Sequence, residues 1–172
     1  MGDIFEIKCV ACNYGISVTR GVGMAYSPHA VFYGRCDDAT QNWSIAFPDG
    51  YCEKDKPLLL SLVKSKRIKD IAFNLIANGA QPDHEYGHDL YSCPKCNRLA
   101  NRFYFKLVSP TEQYEPDYHC SNCKTLLQRA ELKRDENGKR EIIYINYHES
   151  IWKCPECGCK EIVLCGVLRM WD

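Results

Sequence analysis

The chain has 172 residues, 45% of them hydrophobic, and its 22 lysines and arginines balance its 22 aspartates and glutamates. This length allows one domain or two small ones, and no apolar run approaches the roughly 20 residues of a membrane-spanning helix. The zero formal charge argues against a protein that binds nucleic acid through an overall positive charge.

The chain begins with predicted strands on either side of a cysteine pair. Residues 3–9 predict a strand that leads into the pair Cys9 and Cys12, and residues 15–20 predict a strand that leaves it. Two further short strands are predicted at 31–33 and 43–47, because turn-forming residues separate them.

Residues 57–78 form the most convincing helical stretch. Their apolar side chains recur at helical spacing, with lysine and arginine between them. Pro57 suits a helix start and Gly79 a helix stop, and Ser65 predicts a break between two shorter helices. Residues 78–83 then predict a loop.

The segment that follows matches a zinc-peptidase motif letter for letter. His84, Glu85 and His88 have the H-E-x-x-H spacing, in which two histidines bind zinc and the glutamate acts as a general base. That chemistry needs a helix, whereas Pro82 and Gly87 argue against one here. We therefore expect a non-catalytic segment and keep a zinc-dependent hydrolase as the alternative function.

The centre of the chain predicts a hairpin between two more cysteine pairs. Residues 102–108 alternate as in a strand and lie between the pair Cys93 and Cys96 and the pair Cys120 and Cys123. Alternation predicts a core face and an outer face that would suit single-stranded nucleic acid. The core face consists of Phe103, Phe105 and Leu107, and the outer face of Arg102, Tyr104 and Lys106.

The last third predicts a second hairpin and a fourth cysteine pair. Residues 126–134 and 139–147 flank Asn137-Gly138, a strong hairpin signal, and the second strand leads to Cys154 and Cys157.

The predicted fold is mostly β (α+β), with small sheets, two metal-bound ribbons and a helical insertion. We predict four segments: 1–55 and 149–172 as N- and C-terminal cysteine turns that meet, 56–90 as the insertion, and 91–148 as the central ribbon.

The four Cys-x-x-Cys pairs indicate metal binding, since two such pairs supply the four thiolates of a closed tetrahedral zinc site. The turn of such a pair favours a positive φ after the second cysteine, where Asn13, Asn97 and Gly158 fit and Lys124 does not. With the prolines inside two of the pairs, these turns resemble those of the zinc-ribbon (rubredoxin-like) family. The whole chain resembles uncharacterised bacterial proteins with several zinc ribbons, which implies a role in binding protein or nucleic acid.

The cysteine pairs group into two predicted sites with one zinc ion each. The central site takes Cys93, Cys96, Cys120 and Cys123, and the second joins the chain ends through Cys9, Cys12, Cys154 and Cys157. A local alternative joins Cys154 and Cys157 to Cys159 or Cys165. Four cysteines remain, and they are Cys36, Cys52, Cys159 and Cys165. We expect them to be small buried side chains. As an alternative, Cys36 and Cys52 would bind a third metal together with a histidine.

The beginning of the chain shows no export signal, so we expect reduced thiols and a cytoplasmic protein. Two loaded zinc sites would lower the net charge to about −4, because the ligands are thiolates. We therefore expect a non-enzymatic zinc-binding protein, with a protein partner favoured over nucleic acid and no membrane partner.

Overall fold

A computed structural model of the chain describes residues 2–23, 26–34, 56–134, 141–145 and 150–171. The described strands and helices confirm the predicted mostly-β, α+β class. In chain order they are β1 (Gly2–Cys9), β2 (Gly15–Arg20), α1 (Pro28–Phe32), α2 (Leu59–Leu62), α3 (Lys66–Ala77), β3 (Gln81–Ser92), β4 (Leu99–Val108), β5 (Gln113–Tyr114), β6 (Gln128–Arg134), β7 (Glu141–Ile145), β8 (Ser150–Ile151) and β9 (Ile162–Trp171).

The chain divides into two compact units. The first consists of Met1–Gly21, His88–Arg102 and Asp117–Asp172, and the second of Val22–Gly87 and Phe103–Pro116. Each unit draws on several of the four consecutive segments, and that division stays a prediction. Among the described residues, no helix has the length and apolar character needed to cross a membrane.

The first unit is an antiparallel sheet in which the two ends of the chain are neighbours. Strand β1 forms a hairpin with β2, from Asp3↔Arg20 to Lys8↔Gly15, and pairs on its other side with β9. From there β9 pairs with β7, β7 with β6, and β6 with β3. The predicted hairpin of β6 and β7 is thereby confirmed, and its turn lies outside the described residues.

The same sheet closes on itself between β2 and β3. Gly21 and His88 exchange two backbone hydrogen bonds of 2.9 Å. Beside them, the side-chain amide of Asn101 donates to the carbonyl oxygens of Thr19 (2.7 Å) and Asp89 (3.1 Å) and accepts from the Thr19 N–H (3.4 Å). Next to the Gly21–His88 pair, the Asn101 carboxamide thus makes the hydrogen bonds that further pairing of β2 with β3 would make, and the sheet closes into a small barrel.

The barrel interior is filled by apolar side chains and by the first cysteine of each terminal pair. Trp152 and Ile143 are fully buried, and Ile7 is 1% exposed. The remaining members come from seven strands and, for one cysteine, from the segment between β8 and β9, and they are Phe5, Cys9, Val18, Leu90, Leu99, Ala130, Ile145, Cys154 and Ile162.

The helices lie in the second unit, where the predicted break at Ser65 is confirmed. The Ser65 hydroxyl accepts the Ile68 N–H at 3.4 Å and caps α3, so the serine ends one helical pattern and starts the next. Gly79, with φ 91°, follows the end of α3, as predicted.

Two predicted elements of this unit were wrong. Residues 31–33 do not form a strand, because the Ser27 hydroxyl accepts the Ala30 N–H at 3.2 Å and, with Pro28, starts α1 instead. The predicted loop at 78–83 ends early, since β3 already begins at Gln81. The first half of β3 is polar, so the sequence lacks there the apolar and β-branched residues that indicate a strand. The predicted strand at 43–47 lies outside the described residues.

We predict that Asn101→Leu weakens the barrel by about 1–3 kcal/mol, because two carbonyl groups and one N–H lose their partner. Urea unfolding measures the loss, and amide hydrogen exchange at Thr19 should accelerate. The control is Asn74→Leu, an exposed position on α3, where the change should stay within about 0.5 kcal/mol. Equal losses in both variants would show that Asn101 does not close the barrel.

Candidate metal centres

Two groups of four cysteines come together in the first unit, with the four sulfur atoms of each group within 4.8 Å of one another. The first group joins the chain ends, and the sulfur atoms of Cys9 and Cys157, like those of Cys12 and Cys154, lie 3.5 Å apart. A tetrahedron of metal–sulfur bonds of about 2.3 Å has edges of about 3.8 Å. The group is therefore shaped to hold one metal ion.

The second group joins the turn between β3 and β4 to the turn before β6. Its sulfur atoms lie 3.3 Å apart between Cys93 and Cys123, and 3.6 and 3.8 Å from Cys96 to Cys120 and Cys123. Both quartets are the ones that the sequence predicts.

The local alternative for the C-terminal pair is not formed. Cys159 packs against the barrel core, and its sulfur accepts the Glu161 N–H at 3.4 Å. Cys165 lies in β9 opposite Glu6, and neither cysteine belongs to a quartet. Cys36 and Cys52, the cysteines of the possible third site, lie outside the described residues.

All four cysteine turns are closed by the same backbone hydrogen bond. The N–H of each first cysteine donates to the carbonyl oxygen five residues later, at 2.8–3.0 Å. The acceptors are Tyr14, Arg98, Thr125 and Cys159. This ring turns both sulfurs of a pair toward the same side, so the backbone itself presents the ligands.

The predicted positive φ holds for two of the three expected residues, Asn97 (55°) and Gly158 (74°). At Asn13 the prediction was wrong: φ is not positive, and the first turn is instead tied to the far end of the chain by a 3.3 Å hydrogen bond from Val10 N–H to Glu161 O. Lys124, which is neither glycine nor asparagine, adopts the positive φ all the same, at 60°. Its N–H completes the turn by donating to the Cys120 carbonyl at 3.0 Å.

The first cysteine of each pair is buried and the second lies nearer the surface. Cys9, Cys93, Cys120 and Cys154 are at most 5% exposed, whereas Cys157 is exposed. A metal ion in either quartet would therefore be shielded by the barrel on one side and reached by solvent on the other.

The surroundings push the cysteine pKa values in opposite directions. Hydrogen bonding with the side chain and backbone of Thr125 lowers the pKa of Cys123 to about 6, whereas burial raises the pKa of Cys93 to about 12. Four thiolates this close repel one another, so a bound cation is what allows all of them to ionise together. Each quartet could thus hold a cation.

The two centres are connected through Trp152 and Tyr14, each two residues from a ligand of the first centre. The Trp152 indole N–H donates to the Asn97 carbonyl beside Cys96 at 2.6 Å. The Tyr14 hydroxyl accepts the Leu99 N–H at 3.0 Å, and the two rings lie 6.0 Å apart. The turns of both centres therefore share one packed, hydrogen-bonded unit.

The H-E-x-x-H segment does not have the helical setting that a zinc peptidase uses. His84, Glu85 and His88 lie in β3. Among the described residues, the groups able to hold a metal are the two cysteine quartets, and neither includes these three residues.

The predicted nucleic-acid face of 102–108 is not presented as expected. Phe103, Phe105 and Leu107 are buried as predicted, but Tyr104 is also buried, at 5% exposure. Both faces of β4 are covered at that point, so Tyr104 cannot stack on a base. The alternation shows which residues share a face, but it does not show that the second face is covered.

The contact of Trp152 with Asn97 and the roles of Tyr14 and Thr125 were missed from the sequence. These residues support ligands through contacts with segments that are distant or irregular. Their one available signal was their place two residues from a cysteine of the pairs. No protein-family model, curated protein or solved structure matches the chain.

We predict that Lys124→Gly stabilises the protein by up to about 1 kcal/mol, because a left-handed backbone costs about that much for a residue with a Cβ. The gain corresponds to an increase in Tm of about 2–4 °C for a chain of this size. Lys95→Gly is the matched control, since Lys95 is exposed in the facing turn without a positive φ, and glycine there should lower the Tm. A decrease in both variants would contradict the strain at Lys124.

We also predict that Trp152→Phe speeds metal loss from the second centre, although Trp152 is next to the first. The substitution removes the donor to Asn97 and leaves that carbonyl unpaired, which should cost about 1–3 kcal/mol. A chromophoric chelator follows metal release, and the amide signals of Asn97 at the second centre and of Gly158 at the first report which centre opens.

The control for this prediction is Phe73→Leu, a buried aromatic position in the second unit. It should lower stability without changing the release rate. Equal release rates in the parent protein and Trp152→Phe would show that the two centres are independent.

Proposed function

We propose that the chain is a non-enzymatic protein in which two zinc ions, each held by four cysteines, stabilise a small β-barrel whose surface binds a partner. The observation that supports this most directly is the spacing of the sulfur atoms, 3.3–3.8 Å between neighbours in both quartets. These distances lie within about 0.5 Å of the edges of a tetrahedral metal–thiolate centre.

The ligand set favours zinc in a structural role. Four thiolates in a tetrahedron suit zinc or iron, and the turns resemble those of zinc ribbons. Four protein ligands fill the tetrahedron, so a substrate has no coordination position to occupy. A reducing compartment such as the cytoplasm would keep the eight thiols available, and we propose that location.

Exposed apolar side chains favour a protein as the partner. Val10, Val163 and Leu164 are 36–54% exposed near the first centre, where β1 and β9 pair. Leu126, 48% exposed, lies just after the second centre. Apolar residues at the surface suit a protein interface better than a nucleic-acid backbone, and the burial of Tyr104 removes the predicted stacking face.

We predict two zinc ions per chain, and the loss of about one from Cys93→Ser and from Cys9→Ser. Structural zinc contributes on the order of 10–16 kcal/mol in small modules, so each variant should also unfold in part or aggregate. Elemental analysis measures the metal, and the absorption of the cobalt-substituted protein reports thiolate ligands. Cys165→Ser is the control, because Cys165 lies outside both quartets, and it should keep both ions.

Different metal contents would decide against the proposal. Cys93→Ser with two zinc ions would exclude the second centre, and a red protein that contains iron would exclude zinc. A third zinc ion with peptide hydrolysis that disappears in Glu85→Gln would establish the hydrolase alternative instead.

A further inference from the structure

A cavity of about 220 Å³ lies in the first unit beside the second metal centre. Its lining includes Cys120, one of the metal ligands, and Tyr14, which connects the two centres. Ser121, in the cysteine turn, lies at the same cavity. This cavity takes no part in metal binding itself.

Two arginines also line the cavity, from the same face of one strand. Arg98 directly precedes β4 and Arg102 lies within it, and alternation places both with Ala100 on one face. Their Cα atoms are about 13 Å apart at an extended rise of about 3.3 Å per residue. Because Ala100 is small, two long side chains can converge on a group that lies between them.

The two guanidinium groups have donors to offer. One N–H of Arg102 donates to the Asn101 carbonyl at 2.8 Å, which leaves four of its five N–H groups. Among the described residues, neither Arg98 nor Arg102 forms an ion pair, and no carboxylate side chain lines the cavity. The Tyr14 hydroxyl accepts the Leu99 N–H, so its own hydrogen can be donated to another acceptor.

A second cavity in the same unit shows the contrast. Its volume is about 230 Å³, and three cations line it, Arg20, Arg129 and Lys133. Two of the three are matched with carboxylates that line the same cavity, Arg129 with Asp89 at 2.8 Å and Lys133 with Glu131 at 2.7 Å. No carboxylate lines the cavity beside the second metal centre, which is therefore the better suited of the two to an external anion.

The competing explanation is that the arginines balance the charge of the metal centre. Four thiolates and one dication carry about −2, and Cys120 belongs to both the centre and the cavity lining. Two exposed lysines on the turns of that centre, Lys95 and Lys124, already supply positive charge there. The arginines lie on the cavity side, where a guanidinium can reach a ligand.

We propose that this cavity binds a single oxyanion of the phosphate type between Arg98 and Arg102, with hydroxyl donors from Tyr14 and Ser121. A planar guanidinium donates two parallel hydrogen bonds to such a group, which suits arginine better than lysine. The volume admits one phosphate and part of the molecule that carries it. It does not admit a run of nucleotides.

The test is a titration of the zinc-loaded protein with inorganic phosphate at constant ionic strength, followed by amide NMR signals. We expect saturable shifts at Gly15, Ala100 and Ser121, at least tenfold weaker binding in Arg98→Gln/Arg102→Gln, and intermediate binding in the single variants. Lys95→Gln is the matched control, because it removes a cation from the same turn outside the cavity and should leave binding unchanged. A phosphomonoester should compete for the same site.

Several outcomes would overturn the proposal. They are the absence of saturable shifts, equal binding by the double variant, or a loss of zinc from the second centre in the arginine variants, which would make the arginines counterions of the metal. If an oligonucleotide binds through several phosphates, with a steep salt dependence, then the ligand of this site is a nucleic acid and not a single oxyanion. Zinc content is measured throughout. A parent protein that lacks zinc but binds phosphate would contradict the proposed function and leave this site standing, so the two failures can be told apart.

Discussion

The meeting of the two chain ends in one cysteine quartet is the constraint on which the rest of the first unit depends. Cys9 and Cys157 are 148 positions apart, yet their sulfur atoms lie 3.5 Å from each other. Closing a loop of that length costs little more than closing a shorter one, because the entropy grows with the logarithm of length. Once the ends meet, β1 and β9 pair along their length, from Gly2↔Trp171 to Cys9↔Ile162. The centre thus fixes which strands are neighbours.

The metal centres and the apolar core act as one structure. Cys9 and Cys154 belong both to the first quartet and to the barrel core, and Trp152 packs in that core while it donates to the turn of the second quartet. Removing a metal from the first quartet would therefore also disturb packing, and loosening the core would displace the ligands. Since the joined segments are far apart in sequence, we expect folding to be slow and to depend on metal capture.

The sequence predicted most features whose physics is local and missed several that depend on distant segments, although the prediction at 31–33 failed on a local signal. Four Cys-x-x-Cys pairs show their ligands in the spacing alone, and Ser65 shows a cap because the bond to Ile68 spans three residues. Asn101 gives no such sign, since its partners are Thr19 and Asp89 in other strands. Residues 31–33 have strand-like composition, but the Ser27 cap and Pro28 start a helix there.

If both quartets hold a structural metal, as we propose, the function lies in the surfaces that the metals hold in place. Arg98 illustrates this, because its carbonyl accepts the Cys93 N–H at 3.0 Å within the ligand turn. Its backbone is therefore as rigid as the centre, whereas its guanidinium remains free to meet a ligand. A structural metal in the second quartet would thus reduce the ordering that an anion, bound as we propose, must impose on the site. The same holds for Val10, within the first turn, because a metal in the first quartet would fix this exposed apolar side chain in place for the proposed partner.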